Sequence, residues 1–204
     1  MKQLLLFRHA QSEANVTGSL HCTVPGPPLT SNGREQAAAL ADRLAGTDIA
    51  AVWASGMTRA QQTAEPIARS HGLSVTVHPD LREGFVGDLH DRRDDEAHEL
   101  FDEMSVTWFL DGDLDFRRPG GESGREIVDR LGGALDEVVA GLADGQTAVV
   151  VSHAAALRLT VPQRCPGISP LRALRHHLPN TGLVEVEVTA GDWFCRTWDG
   201  VKPV

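Results

Sequence analysis

Two histidines each follow a short apolar run: His9 comes after Leu4, Leu5, Leu6 and Phe7, and His153 after Val149, Val150, Val151 and Ser152. One histidine in such a place is most simply a structural side chain. Two in equivalent positions, 144 residues apart, point to a shared pocket. Arg8 precedes the first, Arg59 opens a helical stretch after another apolar run, and Glu83 follows a further one. Two imidazoles, two guanidiniums and one carboxyl suit phosphoryl transfer. Arginine forks replace the water around a phosphate ester, and fixed donors meet the charge spread over its oxygens in the transition state. A neutral imidazole can attack phosphorus and carry the group covalently, which splits one hard displacement into two. Glu83, if apolar groups surround it, could protonate the leaving alkoxide and then act as base toward water.

The elements that must position these groups alternate. Residues 3–7 are an apolar run of the kind found in a strand buried on both faces. After a loop rich in Gly and Pro, residues 30–44 carry Ala37, Leu40, Ala41 and Leu44 at helical spacing, with Gly46 suited to the C-terminal cap. A strand is expected over 49–54 and a helix over 58–70 that Pro66 should kink or break. A third strand is expected over 73–77. Ser123 and Glu126 have capping-box spacing at the head of a helix reaching Gly141. Then come a strand over 147–151, a helix over 154–161 that stops near Pro162, and closing strands over 182–188 and 193–198. The pattern implies an α/β fold, three-layer α/β/α with a mainly parallel sheet, as one domain over residues 1–204. Ligands of such sheets bind outside the carboxyl ends of the strands, where Arg8, His9 and His153 would fall.

Residues 84–120 break the rhythm and are expected to form a small acidic insert of one or two helices, a candidate lid. The chain has 19 basic and 28 acidic residues, a net charge of −9. Residues 80–115 hold thirteen acids against three arginines, so the excess negative charge belongs to this insert and not to the scaffold. Such a lid would disfavour multiply anionic substrates. The overall charge argues against a sequence-independent grip on nucleic acid or on an anionic membrane, so any anion must be held locally. No run approaches the roughly 20 apolar residues of a membrane span. Three cysteines, Cys22, Cys165 and Cys195, form neither a CxxC pair nor an even set, and a reducing cytoplasm is the simplest compartment.

Six blocks in one order resemble the histidine phosphatase superfamily, the phosphoglycerate mutase-like branch 1. They are Arg8-His9-Ala10-Gln11-Ser12-Glu13 with Asn15; Pro28-Leu29-Thr30 with Gly33; Ser55 with Arg59-Ala60-Gln61-Gln62-Thr63; Leu81-Arg82-Glu83 with Gly87; Gly120-Gly121-Glu122-Ser123; and Val151-Ser152-His153. The resemblance covers residues 3–190. It implies that His9 is a phosphohistidine nucleophile, that Arg8, Arg59 and His153 form the phosphate pocket, that Glu83 is the general acid and base, and that Asn15 and Ala154 line the substrate site. It implies no metal or organic cofactor. Ala10 and Ala154 stand where the family commonly has glycine, and either would be strained if its backbone needed positive φ.

A small phosphorylated metabolite is the expected partner, with the oligomeric state open. Hydrolysis is favoured over mutase-type phosphoryl transfer, because residues 83–116 offer only Arg92 and Arg93 among many acids. Arg117 and Arg118 are read as a solvated basic turn, with service to a second anionic group as the alternative. A catalytically idle binding member and a metallohydrolase using His9, His90, Asp91 and His153 are the remaining readings. Trp108 and Phe109 either cover a substrate or anchor the insert, and His176 and His177 either line the pocket or lie on the surface.

Overall fold

A computed structural model describes residues 1–202. Its sheet runs in the order β3-β2-β4-β1-β5-β6, with strands β1 (Lys2–Arg8), β2 (Ala51–Ser55), β3 (Val75–His78), β4 (Thr147–Ser152), β5 (Leu183–Thr189) and β6 (Asp192–Trp198). The first four strands in that order are parallel, while β5 runs antiparallel to β1 and β6 antiparallel to β5. The mainly parallel sheet expected from the sequence is therefore present.

The helices are α1 (Glu13–Thr17), α2 (Ser31–Leu44), α3 (Thr58–Ser70), α4 (Asp95–Phe109), α5 (Gly124–Ala140), α6 (Ala154–Arg164) and α7 (Pro170–Arg175). Side-chain alternation in the central strands builds a core on each face. Leu4 and Leu6 of β1, with Ala148 and Val150 of β4, pack against Ile127, Leu131 and Leu135 of α5 and Leu157 of α6. Leu5, Phe7, Val149 and Val151 face Leu40 and Leu44 of α2 and Ala64 and Ile67 of α3. Both central strands are thus apolar at every core position, as a sheet covered on both faces requires.

Several expectations need correction. Helix α3 runs unbroken through Pro66, and α6 passes Pro162 to end at Arg164. Buried Ala64, Ile67 and Ala68 pin one, and buried Leu159 and Val161 the other, so packing outweighs the local loss of one backbone bond. The C-cap of α2 is Ala45 in right-handed conformation, not Gly46. The second strand starts at Ala51 and the third at Val75, each two residues later than expected. The short α1 and α7 carry too few turns to show a hydrophobic period, and neither was foreseen. Ser123 does form a capping box with Glu126, at 3.2 and 3.0 Å.

Residues 84–120 hold one helix, α4, after a 3-10 turn at Gly87–Leu89. Trp108 and Phe109 are buried in the core that α5 and α6 share, so they anchor this segment to the sheet. Gly87 has φ +60, and a Cβ there would lie 2.0 Å from the Pro119 carbonyl oxygen, so both the turn and the close return of the chain require glycine. Gly33 has a comparable task at the head of α2, where a Cβ would lie 1.9 Å from the Gln11 carbonyl oxygen behind the first histidine's loop.

Candidate active site

The carboxyl ends of β1 and β4 deliver the two histidines side by side. The His9 N–H donates to the Ser152 carbonyl at 3.0 Å, and the Ala10 N–H donates to Thr63 Oγ1 at 3.0 Å, so the loop leaving β1 is fastened to β4 and to α3. His9 Nδ1 lies 2.7 Å from the Ala10 carbonyl. A carbonyl only accepts, so Nδ1 carries the proton and Nε2 keeps its lone pair. That lone pair receives the Arg59 Nε–H at 3.0 Å. Burial first, then the charges of Arg59 and Arg8, push the His9 pKa well below 6.5, so the ring is neutral with a bare Nε2.

His153 is fully buried, its ring centroid 5.1 Å from that of His9. Its Nε2 sits 2.7 Å from Ser55 Oγ, which already accepts the Met57 N–H at 3.3 Å. The Ser55 hydroxyl proton is then free for Nε2, leaving Nδ1–H as a donor with no protein partner. Burial and then Arg59 hold the His153 pKa well below 6.5 as well.

Arg59, at the first turn of α3, is 4% exposed. It gives Nε to His9 and Nη2 to the His21 carbonyl at 3.1 Å, while buried Nη1 has no partner. Burial lowers its pKa to about 10. Arg8 Nη1 donates to the Leu178 carbonyl at 2.9 Å, and its buried Nε is also unpartnered. Asn15 Oδ1 accepts from Ser12 N–H at 3.0 Å and from Asn180 Nδ2 at 3.2 Å, which leaves the Asn15 amide nitrogen for the pocket. Three buried donors, Arg8 Nε, Arg59 Nη1 and His153 Nδ1, therefore lack partners among the described residues, and their residues lie close to His9: Arg8 and Arg59 share its cavity and the His153 ring packs against that of His9. Buried donors in native proteins are almost always paired, so this cluster fits an anion that the ligand supplies.

Glu83 stands across the cavity. The apolar surround that was the condition for its acid role is not what the fold builds. Its Oε1 accepts N–H bonds from Gly84 at 2.9 Å and Ala156 at 2.8 Å, and its Oε2 one from Ala155 at 3.2 Å, so the first turn of α6 grips the carboxyl. A second device fixes its backbone. Arg130 Nη1 donates to the carbonyls of Asp80 and Arg82, both at 2.9 Å, and Nη2 to that of Glu83 at 3.0 Å. Glu122 pairs with Arg130 at 2.8 Å and with Arg82 at 2.7 Å. Burial pushes the Glu122 pKa up, but the bonds from Arg130 and Arg82 prevail and hold it at about 2. Glu122 lay in a recognisable block, yet its role depends on Arg82 and Arg130, whose convergence the sequence does not reveal.

Arg8, His9, Asn15, Arg59, Glu83 and Ala154 line one cavity of about 540 Å3, measured out to open solvent. His153 is not in its wall but stands behind His9. Ala10 and Ala154 are absent from the residues with positive φ, so neither carries the strain considered above. His90 and Asp91 point elsewhere: His90 Nδ1 lies 3.3 Å from Cys22 Sγ, and Asp91 accepts from Ser19 at 2.5 Å. Among the described residues no three His, Cys, Asp or Glu side chains are grouped to share a metal ion. His176 and His177 are both exposed. No helix among the described residues is long and apolar enough to cross a membrane.

The sequence description "Histidine phosphatase superfamily (branch 1)" matches residues 4–200. A Serratia proteamaculans protein named probable phosphoglycerate mutase GpmB is 32% identical over 198 residues, covering 97% of this chain and 90% of the relative. Among solved structures, a mycobacterial glucosyl-3-phosphoglycerate phosphatase complexed with VO3 superposes with a TM-score of 0.84 at 22% identity, covering 98% of this chain and 99% of that one. The alpha-ribazole phosphatase of Shigella flexneri gives 0.77 at 24% identity, covering 99% and 98%. At those identities the two structures speak for the fold alone.

Proposed function

Since the chain belongs to the histidine phosphatase superfamily, branch 1, we propose that it is a phosphoric monoester hydrolase acting on a small phosphorylated metabolite. His9 Nε2 attacks phosphorus and the bond from phosphorus to the ester oxygen breaks. A proton passes from the Glu83 carboxyl to the departing oxygen, and an alcohol leaves. Water then attacks the phosphohistidine, Glu83 takes the proton back, and phosphate departs with His9 restored. Arg8 Nε and Arg59 Nη1, both on the cavity wall, donate to the phosphoryl oxygens throughout, with the His153 ring packed against His9. The reading calls on no metal or organic cofactor.

The observation that carries this proposal is the His9 tautomer. The Ala10 carbonyl holds the proton on Nδ1, so Nε2 keeps a lone pair, which accepts from Arg59 Nε–H. An idle binding site has no need of a neutral nucleophile and an acid together. Hydrolysis is preferred over mutase chemistry because three of the four arginines of the 84–120 segment are engaged in ion pairs and none of the four lines the cavity that holds His9. Arg92 pairs with Asp94 and Glu96, Arg93 with Asp91, and neighbouring Arg117 with Glu126. The mutase reading is favoured by one feature, the name that the curated relatives carry.

The test is release of inorganic phosphate from p-nitrophenyl phosphate and from a panel of sugar and carboxylate phosphates, with and without chelator. The wild type releases phosphate in both conditions and His9→Ala does not. Equal release by the two proteins removes the hydrolase reading. Conversion of 3-phosphoglycerate to 2-phosphoglycerate without phosphate release replaces it by the mutase one.

A further inference from the structure

Arg118, expected in a solvated turn, is 1% exposed. Its guanidinium lies over Phe101 at 4.3 Å and over Trp108 at 4.2 Å, measured to the ring centroids. Nη2 donates to Ser105 Oγ at 3.0 Å, while among the described residues buried Nε and Nη1 have no partner and no carboxylate forms an ion pair with it. A buried cation with unpaired donors is costly to keep, and perturbed ionisable groups of this kind cluster at functional sites. Arg118 opens on a second cavity of about 720 Å3, measured out to open solvent, whose other walls include Trp108, Phe109, Ile127 and Leu174. Arg158 enters from α6, with Nε and Nη2 held by the carbonyls of Ala173 and Leu174 at 2.8 and 2.6 Å.

This cavity adjoins the first one where the leaving group must emerge. Phe101 and Ala155 belong to the walls of both, and the Ala155 N–H holds Glu83 Oε2. Of the acids of the 84–120 segment only Asp102 reaches this cavity. Asp88, Asp95, Glu96, Glu99, Glu103, Asp111, Asp113 and Asp115 are exposed, and Asp102 lines the cavity as an exposed residue. The negative charge of this segment therefore faces water while its inner side presents a cation among aromatic rings.

We propose that this second cavity selects a phosphomonoester whose leaving alcohol has an apolar or aromatic body ending in a single carboxylate, and that Arg118 receives that carboxylate. A carboxylate offers the acceptors that Nε and Nη1 lack, and a charge-assisted bond in a dry aromatic pocket is among the stronger ones. The apolar walls suit a body with more hydrocarbon than a three-carbon acid. Asp102 at the cavity wall opposes a second negative group. This inference rests on the hydrolase reading above and deepens it.

The test compares the phosphate ester of 3-(4-hydroxyphenyl)propanoate with that of its carboxamide, whose phenols leave equally well. The wild type prefers the carboxylate in kcat/KM by about tenfold or more, the worth of one charge-assisted bond. It also prefers this ester to 3-phosphoglycerate. Arg118→Met, which fills the same space, abolishes the preference between the two aryl esters, and Arg117→Ala, at an exposed neighbour, keeps it. Competitive inhibition of the wild type by the free 3-(4-hydroxyphenyl)propanoate, at least tenfold stronger than by its amide, decides the matter even if Arg118→Met folds poorly. Equal rates for the two aryl esters with clear phosphate release overturn the carboxylate pocket and leave the hydrolase intact. A preference for 3-phosphoglycerate overturns the apolar body. Absence of phosphate release from every ester overturns both proposals.

Discussion

Arg59 and Arg118 are both buried guanidiniums with pKa values lowered to about 10, burial being the largest cause in each. They are positioned in opposite ways. Arg59 follows β2 into the first turn of α3 and is held by polar partners, His9 and the His21 carbonyl. Arg118 is held by two aromatic faces and one serine in a segment that folds back from α4. The sheet edge thus makes a site from strand ends and backbone, which suits the common phosphoryl group. The 84–120 segment makes a site from side-chain packing, which suits whatever distinguishes one substrate from another.

The largest effect expected is on the sheet-edge site. His9→Gln lowers phosphate release by about a thousandfold or more, since only binding and the donor cluster remain to act on the ester. Initial rates on p-nitrophenyl phosphate measure it, and a loss below tenfold breaks the contrast by moving the nucleophile elsewhere. Glu122→Gln comes next. It leaves Arg82 and Arg130 half-buried without their shared carboxylate and destabilises the fold by about 3 kcal/mol, read by urea denaturation. Its depressed pKa means that the stability it contributes is full above the ordinary carboxylate range, near 4.5, and disappears as pH falls through about 2.

His9 and His153 set a pH dependence of their own. Burial and the arginines keep both rings neutral in the folded chain, while the unfolded chain takes up two protons below about pH 6.5. Stability therefore falls as pH drops below that value, by up to about 2.7 kcal/mol per pH unit from these two groups. Urea midpoints between pH 7.5 and 5.5 measure the slope, and a flat profile contradicts the neutral pair. The smallest effects belong to Ala10→Gly and Ala154→Gly. Neither backbone has positive φ, so each glycine costs about 1 kcal/mol or less in thermal denaturation and relieves no strain.

The comparison also explains what could be read from the sequence. Arg8, His9, Arg59, Glu83 and His153 were legible because each adjoins a strand end, and strand ends of a parallel sheet share one edge. Asn15 and Ala154 came from the family resemblance alone, since neither residue type carries a chemical signal of its own. The Glu83 surround was misjudged, since a carboxyl gripped by α6 needs the tertiary approach of residues some seventy positions away. The Arg82–Glu122–Arg130 cradle was hidden likewise, because its members sit on a turn, a loop and a helix that only the fold brings together. Arg118 was read as solvated because adjacent arginines after an acidic stretch carry no sign of which one turns inward. The backbone alternation there sends Arg117 to Glu126 on the surface and Arg118 between Phe101 and Trp108.

The central claim is that His9 Nε2 is the atom that takes the phosphoryl group. Rapid mixing with a phosphomonoester, alkaline quench and mass spectrometric mapping test it directly, with phosphorus NMR to identify the nitrogen that is modified. The account predicts one acid-labile phosphoryl group per chain, on His9 and at Nε2, because Nδ1 is committed to the Ala10 carbonyl. Turnover without any labelled histidine, or a label on His153 or on His9 Nδ1, would contradict it.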